Sequence, residues 1–388
     1  MSKKIWLSSP HMGGNEMSYV QEAYDTNWVA PLGKNVNEFE NDLARFTNSR
    51  YASALSSGTA AIHLALVLLG VKAGDEVIVQ SFTFSASVNP ICYLGATPVL
   101  VDSEEETWNM CPKALKKAIE DRLAQGKKPK AIIPVHLYGM PAKMEEIMEI
   151  AHFYEIPVIE DAAEALGASL MNKKMGTWGK LGVLSFNGNK IITTSGGGAL
   201  ISNEQDLIEQ SRFLATQARD EAPHYQHSQV GYNYRMSNIV AGIGRGQMEV
   251  LGEFIEKRRE INGRYRDLLN EHPGIAFQSE PTQDYYSNFW LTAVLIDPKK
   301  NGGITREHIR LALEAENIES RPLWKPMHLQ PVFEKYPFYG TGVSEWLFEH
   351  GLCLPSGSNM TDNDMKRVIS VLSEVLNLKK EFSYEFIN

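Results

Sequence analysis

The chain has 388 residues and a formal charge of −9. This length favours two domains, and the negative charge argues against a general attraction to nucleic acid or anionic membranes. The three cysteines, Cys92, Cys111 and Cys353, are widely spaced without a C-x-x-C pattern, which predicts neither a disulfide framework nor a zinc site. The most apolar stretch, residues 60–69, is too short to span a bilayer, and no targeting pattern opens the chain. We therefore expect a cytoplasmic protein with no metal, nucleic-acid or membrane partner.

Strand-like and helix-like segments alternate through residue 216. The predicted strands are residues 51–55, 76–79, 97–101, 130–135, 157–164, 182–186 and 199–202. The predicted helices are residues 15–24, 36–47, 60–69, 86–93, 112–125, 143–154 and 204–216. This alternation predicts an α/β fold with a mostly parallel central sheet flanked by helices. Ligands bind such sheets beyond the carboxyl ends of the strands.

The last third of the chain has a different pattern. Two helices are predicted at residues 239–251 and 254–270, and we place a domain boundary between them. This gives a large domain, residues 1–251, and a smaller C-terminal α+β domain, residues 252–388. The elements predicted for the smaller domain are strands 289–296 and 352–354 and helices 306–317 and 362–376. A long polar stretch before the boundary, residues 217–235, is expected to be functional or interfacial.

One lysine stands where a reactive amine would be held. Lys190 follows an apolar strand and a polar turn that contains glycine, and a triple glycine at residues 196–198 opens the next strand. Asp161 lies at the end of another buried-type strand, so it should reach the same edge of the sheet. A lysine and a carboxylate presented from two strand ends can together hold a pyridine cofactor.

Pyridoxal 5'-phosphate makes three demands on a protein, and each calls for a different residue type. The aldehyde forms a Schiff base with a lysine, which Lys190 supplies. The ring nitrogen needs a nearby carboxylate, which Asp161 supplies. The phosphate needs unpaired N–H groups at a helix start, which residues 56–60 offer. An aromatic side chain, Phe84, could stack on the ring.

Each of these features has a simpler explanation when it is taken alone. A lysine after a glycine turn is usually solvated, a Ser-Gly-Thr turn is usually an ordinary N-cap, and Asp161 could be a capping carboxylate. His136, at a strand end, is expected to be structural. The glycines at residues 242, 244 and 246 lie in a helical pattern without the G-x-G-x-x-G spacing, which argues against a dinucleotide site. The combination of lysine, aspartate and helix start favours the cofactor.

The chain resembles the DegT/DnrJ/EryC1/StrS family of nucleotide-sugar aminotransferases along nearly its whole length. The stretches that carry this resemblance are residues 57–61, 82–86, 95–102, 135–139, 160–165 and 185–190. Further stretches resemble the branch that aminates UDP-2-acetamido-4-keto-6-deoxy sugars on the bacillosamine and legionaminic acid routes. They are residues 192–198, 216–219, 231–236 and 324–331.

The resemblance implies a fold-type I aminotransferase that binds pyridoxal 5'-phosphate and forms a homodimer with a shared active site. Lys190 would be the catalytic residue, Asp161 would pair with the ring nitrogen, and Phe84 would stack on the ring. The implied phosphate contacts are Gly58, Thr59, Ser185 and, from the neighbouring subunit, Asn233. Glu164, where many members carry glutamine, would lie near the cofactor hydroxyl or the ring face. The implied substrate contacts are Trp28, Lys325 and His328.

The activity implied by the resemblance is transfer of an amino group from L-glutamate to C4 of a UDP-linked 4-keto-6-deoxy-N-acetylhexosamine. Lys190, released from the cofactor, would move a proton in both half-reactions of a ping-pong cycle. An alternative acceptor is a dTDP- or GDP-linked keto sugar aminated at C3 or C4. A second alternative is a cofactor-binding sensor without catalysis, which would not require Lys190 and Asp161 together. A related sugar dehydratase has histidine in place of the lysine, so Lys190 argues against that activity.

Overall fold

The computed structural model describes residues 3–378. Its helices are α1 (Glu16–Asp25), α2 (Lys34–Thr47), α3 (Gly58–Leu68), α4 (Asn89–Tyr93), α5 (Pro112–Ala124), α6 (Met144–Phe153), α7 (Gln205–Ala215), α8 (Asn238–Leu269), α9 (Arg306–Ala315), α10 (Val343–His350) and α11 (Asp362–Val375). Its strands are β1 (Tyr51–Leu55), β2 (Glu76–Gln80), β3 (Thr97–Val101), β4 (Ala131–Ile133), β5 (Ile159–Asp161), β6 (Ser169–Leu170), β7 (Lys173–Lys174), β8 (Leu181–Ser185), β9 (Gly198–Ser202), β10 (Ile275–Phe277), β11 (Tyr285–Tyr286), β12 (Thr292–Ile296), β13 (Arg321–Pro322), β14 (Phe338–Tyr339) and β15 (Gly351–Leu354). Short 3₁₀ turns lie at Ser85–Ser87, Leu137–Gly139 and Met327–Leu329.

The central sheet has the strand order β1-β9-β8-β5-β4-β2-β3-β14. Two ladders of four strands meet where β4 and β5 are joined by the parallel bridges Ile132 to Val158 and Val135 to Asp161. Within this order, β9 runs antiparallel to both of its neighbours, and the other pairs are parallel. The structure thus confirms the predicted α/β fold with a mostly parallel sheet.

Both faces of the central sheet are covered. Successive residues of β2 point to opposite faces, so Val77 and Val79 enter one hydrophobic cluster and Ile78 enters another. Helices α3, α4 and α7 contribute to the cluster of Val77, whereas α2, α5, α6 and the first part of α8 contribute to that of Ile78. Burial on both faces explains why these strands are continuous apolar runs. Their polar ends are therefore the parts of the strands available for ligands.

The prediction of two separate helices at residues 239–251 and 254–270 is wrong, because α8 runs through both ranges. It is one helix of 32 residues, because Leu251, Phe254, Ile255 and Arg258 continue the same buried face at helical spacing across the predicted break. The proposed domain boundary after residue 251 falls inside this helix and stays a prediction.

The glycines at residues 242, 244 and 246 have a packing role in α8. A Cβ atom at Gly244 would lie 2.7 Å from the ring of Phe39 in α2, and one at Gly246 would lie 2.7 Å from the backbone N of Glu16 in α1. A side chain at either position would push these helices away from α8. The close approach of α1 and α2 therefore requires small residues, and the glycines do not form a nucleotide loop.

The predicted helix at residues 86–93 is also different in the structure. A 3₁₀ turn at Ser85–Ser87 is followed by the short helix α4, with Pro90 in its first turn. Proline has no N–H to donate and is tolerated in the first turn of a helix, so the helix begins just before it. This break leaves the side chain of Ser87 facing the sheet edge where Asp161 lies.

The C-terminal part contains an antiparallel sheet with the order β10-β12-β15-β13. Helices α9 and α11 and the second half of α8 pack against it in a third hydrophobic cluster, which includes Tyr265, Leu313 and Val368. This arrangement agrees with the predicted α+β character of the region. Among residues 3–378, no helix combines the length and the apolar character needed to cross a membrane.

Candidate active site

A cavity of about 250 Å³ opens at the carboxyl edge of the central sheet. Asp161 ends β5, Ser185 ends β8, and α3 begins beside them at Gly58. The lining residues are Ser57, Gly58, Thr59, Ile62, Thr83, Phe84, Ala86, Ser87, Val135, Asp161, Ala163, Glu164, Ser185, Asn187, Asn189, Lys190, Gly196, Gly197, Trp290 and Trp324. The cavity thus brings together seven of the eight residues predicted to contact the cofactor.

Lys190 is held in the turn between β8 and β9. Its backbone N–H donates to the carbonyl of Asn187 at 2.9 Å, and its side chain is only 13% exposed. The Nζ atom lies 3.3 Å from Oε1 of Glu164 and 4.2 Å from the ring centroid of Trp290. The amine therefore has an acidic partner and an aromatic face beside it within the cavity.

Glu164 is a buried carboxylate with two fixed contacts. Oε1 accepts from Lys190, and Oε2 accepts the backbone N–H of Tyr138 at 2.8 Å. Burial raises the pKa of Glu164 above its ordinary value, although the nearby Lys190 cation and the Tyr138 N–H act in the opposite direction. This side chain can therefore hold a proton more readily than an exposed glutamate.

Asp161 is a second buried carboxylate, 4% exposed. Its Oδ2 accepts from the hydroxyl of Ser87 at 2.7 Å, and Oδ1 accepts the N–H of Ala163 at 3.2 Å. Among residues 3–378, no lysine, arginine or histidine lies within ion-pair distance of this carboxylate. A buried carboxylate in this setting is suited to a positively charged group of a bound ligand.

The start of α3 forms the opposite end of the cavity. The hydroxyl of Ser57 caps the helix by accepting the N–H of Ala60 at 3.0 Å. A Cβ atom at Gly58 would lie 3.0 Å from Cβ of Ser185, so the absence of a side chain keeps a small space open above the serine. The N–H groups of Gly58 and Thr59 belong to the first turn, where a helix favours an anion.

These groups fit pyridoxal 5'-phosphate. The lysine amine, the buried carboxylate, which has no cationic partner in the described part of the chain, and the small cradle at a helix start match the aldehyde, ring nitrogen and phosphate of that molecule. When bound, the cofactor supplies a conjugated ring that accepts the electron pair left by breaking a bond at a carbon next to nitrogen. Phe84, 51% exposed and 5.3 Å from the ring of Trp324, forms an aromatic wall of the same cavity.

The remaining predicted site residues lie outside this cavity. Asn233 is exposed and pairs with Thr216 through a backbone bridge. Trp28 is 49% exposed, and Lys325 is exposed close to Trp324 in the chain. His328 has partners at both ring nitrogens: Ser81 Oγ lies 2.7 Å from Nδ1, and Glu345 Oε1 lies 3.2 Å from Nε2. The roles of these four residues stay predictions.

Several residues in and beside the cavity were not predicted from the sequence. Trp290 lies beneath the Lys190 amine, and Ser87 holds Asp161. Tyr138 connects two parts of the site, because its N–H donates to Glu164 and its hydroxyl accepts the backbone N–H of Trp324 at 2.9 Å. Tyr138 has a φ of +56°, a conformation that non-glycine residues rarely adopt. A sequence gives no signal for such a conformation.

Comparisons with known proteins agree with this chemistry. The sequence model of the DegT/DnrJ/EryC1/StrS aminotransferase family matches residues 10–373. The chain is 54% identical over 376 residues to EpsN of Bacillus subtilis strain 168, and the alignment covers 96% of each chain. EpsN is provisionally described as a pyridoxal phosphate-dependent aminotransferase. The chain is 39% identical over 373 residues to GDP-perosamine synthase of Caulobacter vibrioides. This alignment covers 96% of this chain and 98% of the synthase.

A solved structure shares the architecture. The structure of DesI in the presence of its TDP-sugar product superposes with a TM-score of 0.87 and 26% identity, covering 97% of this chain and 94% of that chain. The family match, the relatives and the cavity lead to the same conclusion. The chain belongs to the DegT/DnrJ/EryC1/StrS family and is a fold-type I, pyridoxal phosphate-dependent aminotransferase that acts on nucleotide-linked sugars.

Proposed function

We propose that the enzyme transfers the amino group of L-glutamate to C4 of a UDP-linked 4-keto-6-deoxy-N-acetylhexosamine. The observation that supports amino transfer is that one cavity contains Lys190, Glu164, Asp161 and the start of α3. The choice of a UDP-linked acceptor rests on the sequence resemblance at residues 192–198, 216–219, 231–236 and 324–331.

In this proposal, each residue of the cavity has a distinct task. Lys190 would take a proton from the α-carbon of the donor in the first half-reaction and would deliver a proton to C4 of the sugar in the second. Asp161 stabilises positive charge at the ring nitrogen. Glu164 keeps the amine of Lys190 directed into the cavity. The N–H groups of Gly58 and Thr59, together with Ser185, hold the phosphate.

The proposal includes a cytoplasmic homodimer with shared active sites. Asn233 is exposed and outside the cavity of its own chain, which supports a role at the site of a neighbouring subunit. Large apolar side chains that are exposed near the N-terminus would be covered by such a partner; they include Met17, Tyr24, Val29 and Leu32. Three cysteines without disulfide spacing support a reducing compartment.

The substrate contacts in the proposal are Trp28, Lys325 and His328. Trp28 and Lys325 are exposed, so both are available to a large sugar nucleotide. His328 would have to exchange its contact with Ser81 or with Glu345 to reach a ligand. An ion pair of Lys325 with a diphosphate is the contact that charge complementarity favours most among the three.

A GDP-linked keto sugar is the second candidate acceptor. The observation in its favour is the 39% identity to GDP-perosamine synthase across almost the full length of both chains. The likeness to DesI, solved with a TDP-sugar product, keeps a dTDP-linked acceptor as a third possibility. The three candidates differ in the nucleotide, so they can be compared directly in one experiment.

The test follows the absorbance of the purified enzyme through both half-reactions. We expect L-glutamate to remove the visible band of the cofactor linked to Lys190, and UDP-2-acetamido-4-keto-6-deoxyglucose to restore it. GDP- and dTDP-linked 4-keto-6-deoxy sugars are added in parallel at equal concentration. Faster recovery with either of these would replace the UDP assignment, and Lys190→Ala, which lacks the amine, should show no such band.

A further inference from the structure

Arg258 is a buried cation in the middle of α8. Its side chain is 1% exposed, and no carboxylate among residues 3–378 lies within ion-pair distance of it. Burial lowers the pKa of Arg258 to about 9, so the guanidinium remains protonated at neutral pH. A buried charge without a counter-charge opposes folding, and an apolar side chain of similar volume would avoid this penalty. The hydrogen bonds of Arg258 show what the charge is used for.

The guanidinium joins three separate segments of the chain. Nη1 donates to the carbonyl of Trp290 at 2.6 Å and to that of Ser356 at 3.0 Å. Nη2 donates to the hydroxyl oxygen of Ser8 at 3.0 Å. Arg258 therefore connects the N-terminal segment, the residues before β12 and the loop after β15.

Two of these three segments meet again at the active-site turn. The hydroxyl of Ser8 donates to the carbonyl of Asn189 at 2.7 Å, and Nε1 of Trp290 donates to the same carbonyl at 2.7 Å. Asn189 directly precedes Lys190, whose Nζ lies 4.2 Å from the Trp290 ring. Both groups that hold this carbonyl are thus held in turn by Arg258.

We propose that Arg258 is a positioning residue for amino transfer: through Ser8 and Trp290 it fixes the Asn189 carbonyl and thereby the direction in which Lys190 projects into the cavity. The inference rests on the assignment of Lys190 as the reactive amine. The planar, forked guanidinium suits this task, because it can donate to several acceptors in fixed directions at once. A lysine at the same position keeps the charge and loses this geometry.

Two variants test the proposal, and a third serves as the control. Arg258→Lys removes the fork. Ser8→Ala removes the hydroxyl between Arg258 and Asn189, while the Asn189 carbonyl keeps its bond from Trp290. The control is Tyr265→Phe, on the same helix, which removes a buried hydrogen bond to the carbonyl of Pro355, next to Ser356, and no contact to residue 189.

Three quantities are measured for each full-length variant. They are kcat and KM for the glutamate half-reaction, taken as its maximal single-turnover rate constant and its half-saturating glutamate concentration, the position of the visible absorbance band, and the rate at which Lys190 is acetylated in the cofactor-free protein. We expect kcat to fall by about 10- to 100-fold in Arg258→Lys and by roughly 3- to 10-fold in Ser8→Ala, with KM within about 2-fold of the parent. The acetylation rate of Lys190 should change in both variants, whereas Tyr265→Phe should lower only the melting temperature.

A purely structural role would give a different pattern. If Ser8→Ala and Arg258→Lys lower the melting temperature but leave kcat, the absorbance band and the acetylation rate unchanged, the proposal is overturned. If Arg258→Lys does not fold, Ser8→Ala decides the question alone. The acetylation rate does not depend on any sugar substrate, so failure of the UDP-sugar proposal and failure of this inference remain distinguishable.

Discussion

The amine of Lys190 and the carboxylate of Glu164 are 3.3 Å apart in a cavity where both side chains are largely shielded from water. The second carboxylate oxygen is already occupied by the N–H of Tyr138, so the carboxylate cannot turn away from the amine without losing that bond. This pair determines where the amine lies before any ligand binds. It also makes the site sensitive to pH.

Glu164→Gln should change how stability depends on pH. The pKa of Glu164 is raised above its ordinary value of 4.5 by burial, so the folded state binds more protons than the unfolded state in the interval between the two pKa values. Stability contributed by this group is therefore lost as the pH rises through that interval. We expect the free energy of unfolding of the cofactor-free parent, minus that of the variant, to fall as the pH rises above 4.5.

The measurement is urea denaturation of the cofactor-free proteins at several pH values. Glu145→Gln, at an exposed position of α6, controls for the loss of a carboxylate from the surface. A parent-minus-variant difference for Glu164→Gln that is constant or rises over the same range would contradict the assignment of a raised pKa.

Asp161→Asn should reduce catalysis more than Ser87→Ala does. The asparagine retains the shape of the carboxylate but cannot stabilise positive charge at the ring nitrogen, so we expect the rate constant of the glutamate half-reaction to fall by about 100-fold or more. Ser87→Ala removes one hydrogen bond of 2.7 Å and leaves the charge in place, so a fall of about 10-fold or less is expected. The measurement is single-turnover kinetics with L-glutamate. Equal effects of the two variants would show that the charge of Asp161 is not the important property.

Part of this site is predictable from the sequence because parallel strands end at a common edge. Asp161 and Ser185 end strands that the sequence identifies from short apolar runs, and the capping serine before α3 marks a helix start. These local signals therefore place the contacts to the ring nitrogen and to the phosphate at one edge of the sheet without any knowledge of the tertiary structure. The family resemblance strengthened each of these predictions.

Other parts of the site depend on contacts that no local pattern reveals. Trp290 lies 100 residues after Lys190 in the chain, and its place in the cavity depends on long-range contacts such as those to Arg258 and Asn189. In the sequence, residues 289–296 indicate only a buried strand. The continuity of α8 was missed for a related reason, because the buried face that joins residues 251 and 254 depends on tertiary packing.

Gly58→Ala should weaken binding of the cofactor phosphate. The added methyl group would lie 3.0 Å from Cβ of Ser185 and 3.2 Å from its hydroxyl oxygen, so it would fill the cradle at the start of α3. We expect the affinity for pyridoxal 5'-phosphate to fall by at least about 10-fold, or roughly 1.4 kcal/mol, and the affinity for pyridoxal, which has no phosphate, to change much less.

Absorbance titration of the cofactor-free proteins measures both affinities. The matched control is Gly252→Ala on α8, where an added Cβ would have no neighbour within 4 Å among residues 3–378. If the affinity for pyridoxal falls as far as the affinity for pyridoxal 5'-phosphate, the methyl group has disturbed the whole cavity rather than the phosphate cradle.

Mixing two inactive variants should restore activity if the active site is shared between subunits. Lys190→Ala lacks the reactive amine, and Asn233→Ala lacks the proposed contact from the neighbouring subunit. A heterodimer of the two contains one site with both substitutions and one site with neither. After unfolding and refolding an equal mixture, half of the dimers are mixed, so about a quarter of all sites should be intact.

Recovery of transamination is followed against each variant refolded alone. A mixture of Lys190→Ala with Asp161→Asn is the matched control, because both residues line the same cavity of one chain and every site of that heterodimer carries one of the two substitutions. We expect no recovery in this control and recovery towards a quarter of the parent activity with Asn233→Ala. Absence of recovery in both mixtures would place Asn233 in its own subunit's site or outside the active site altogether.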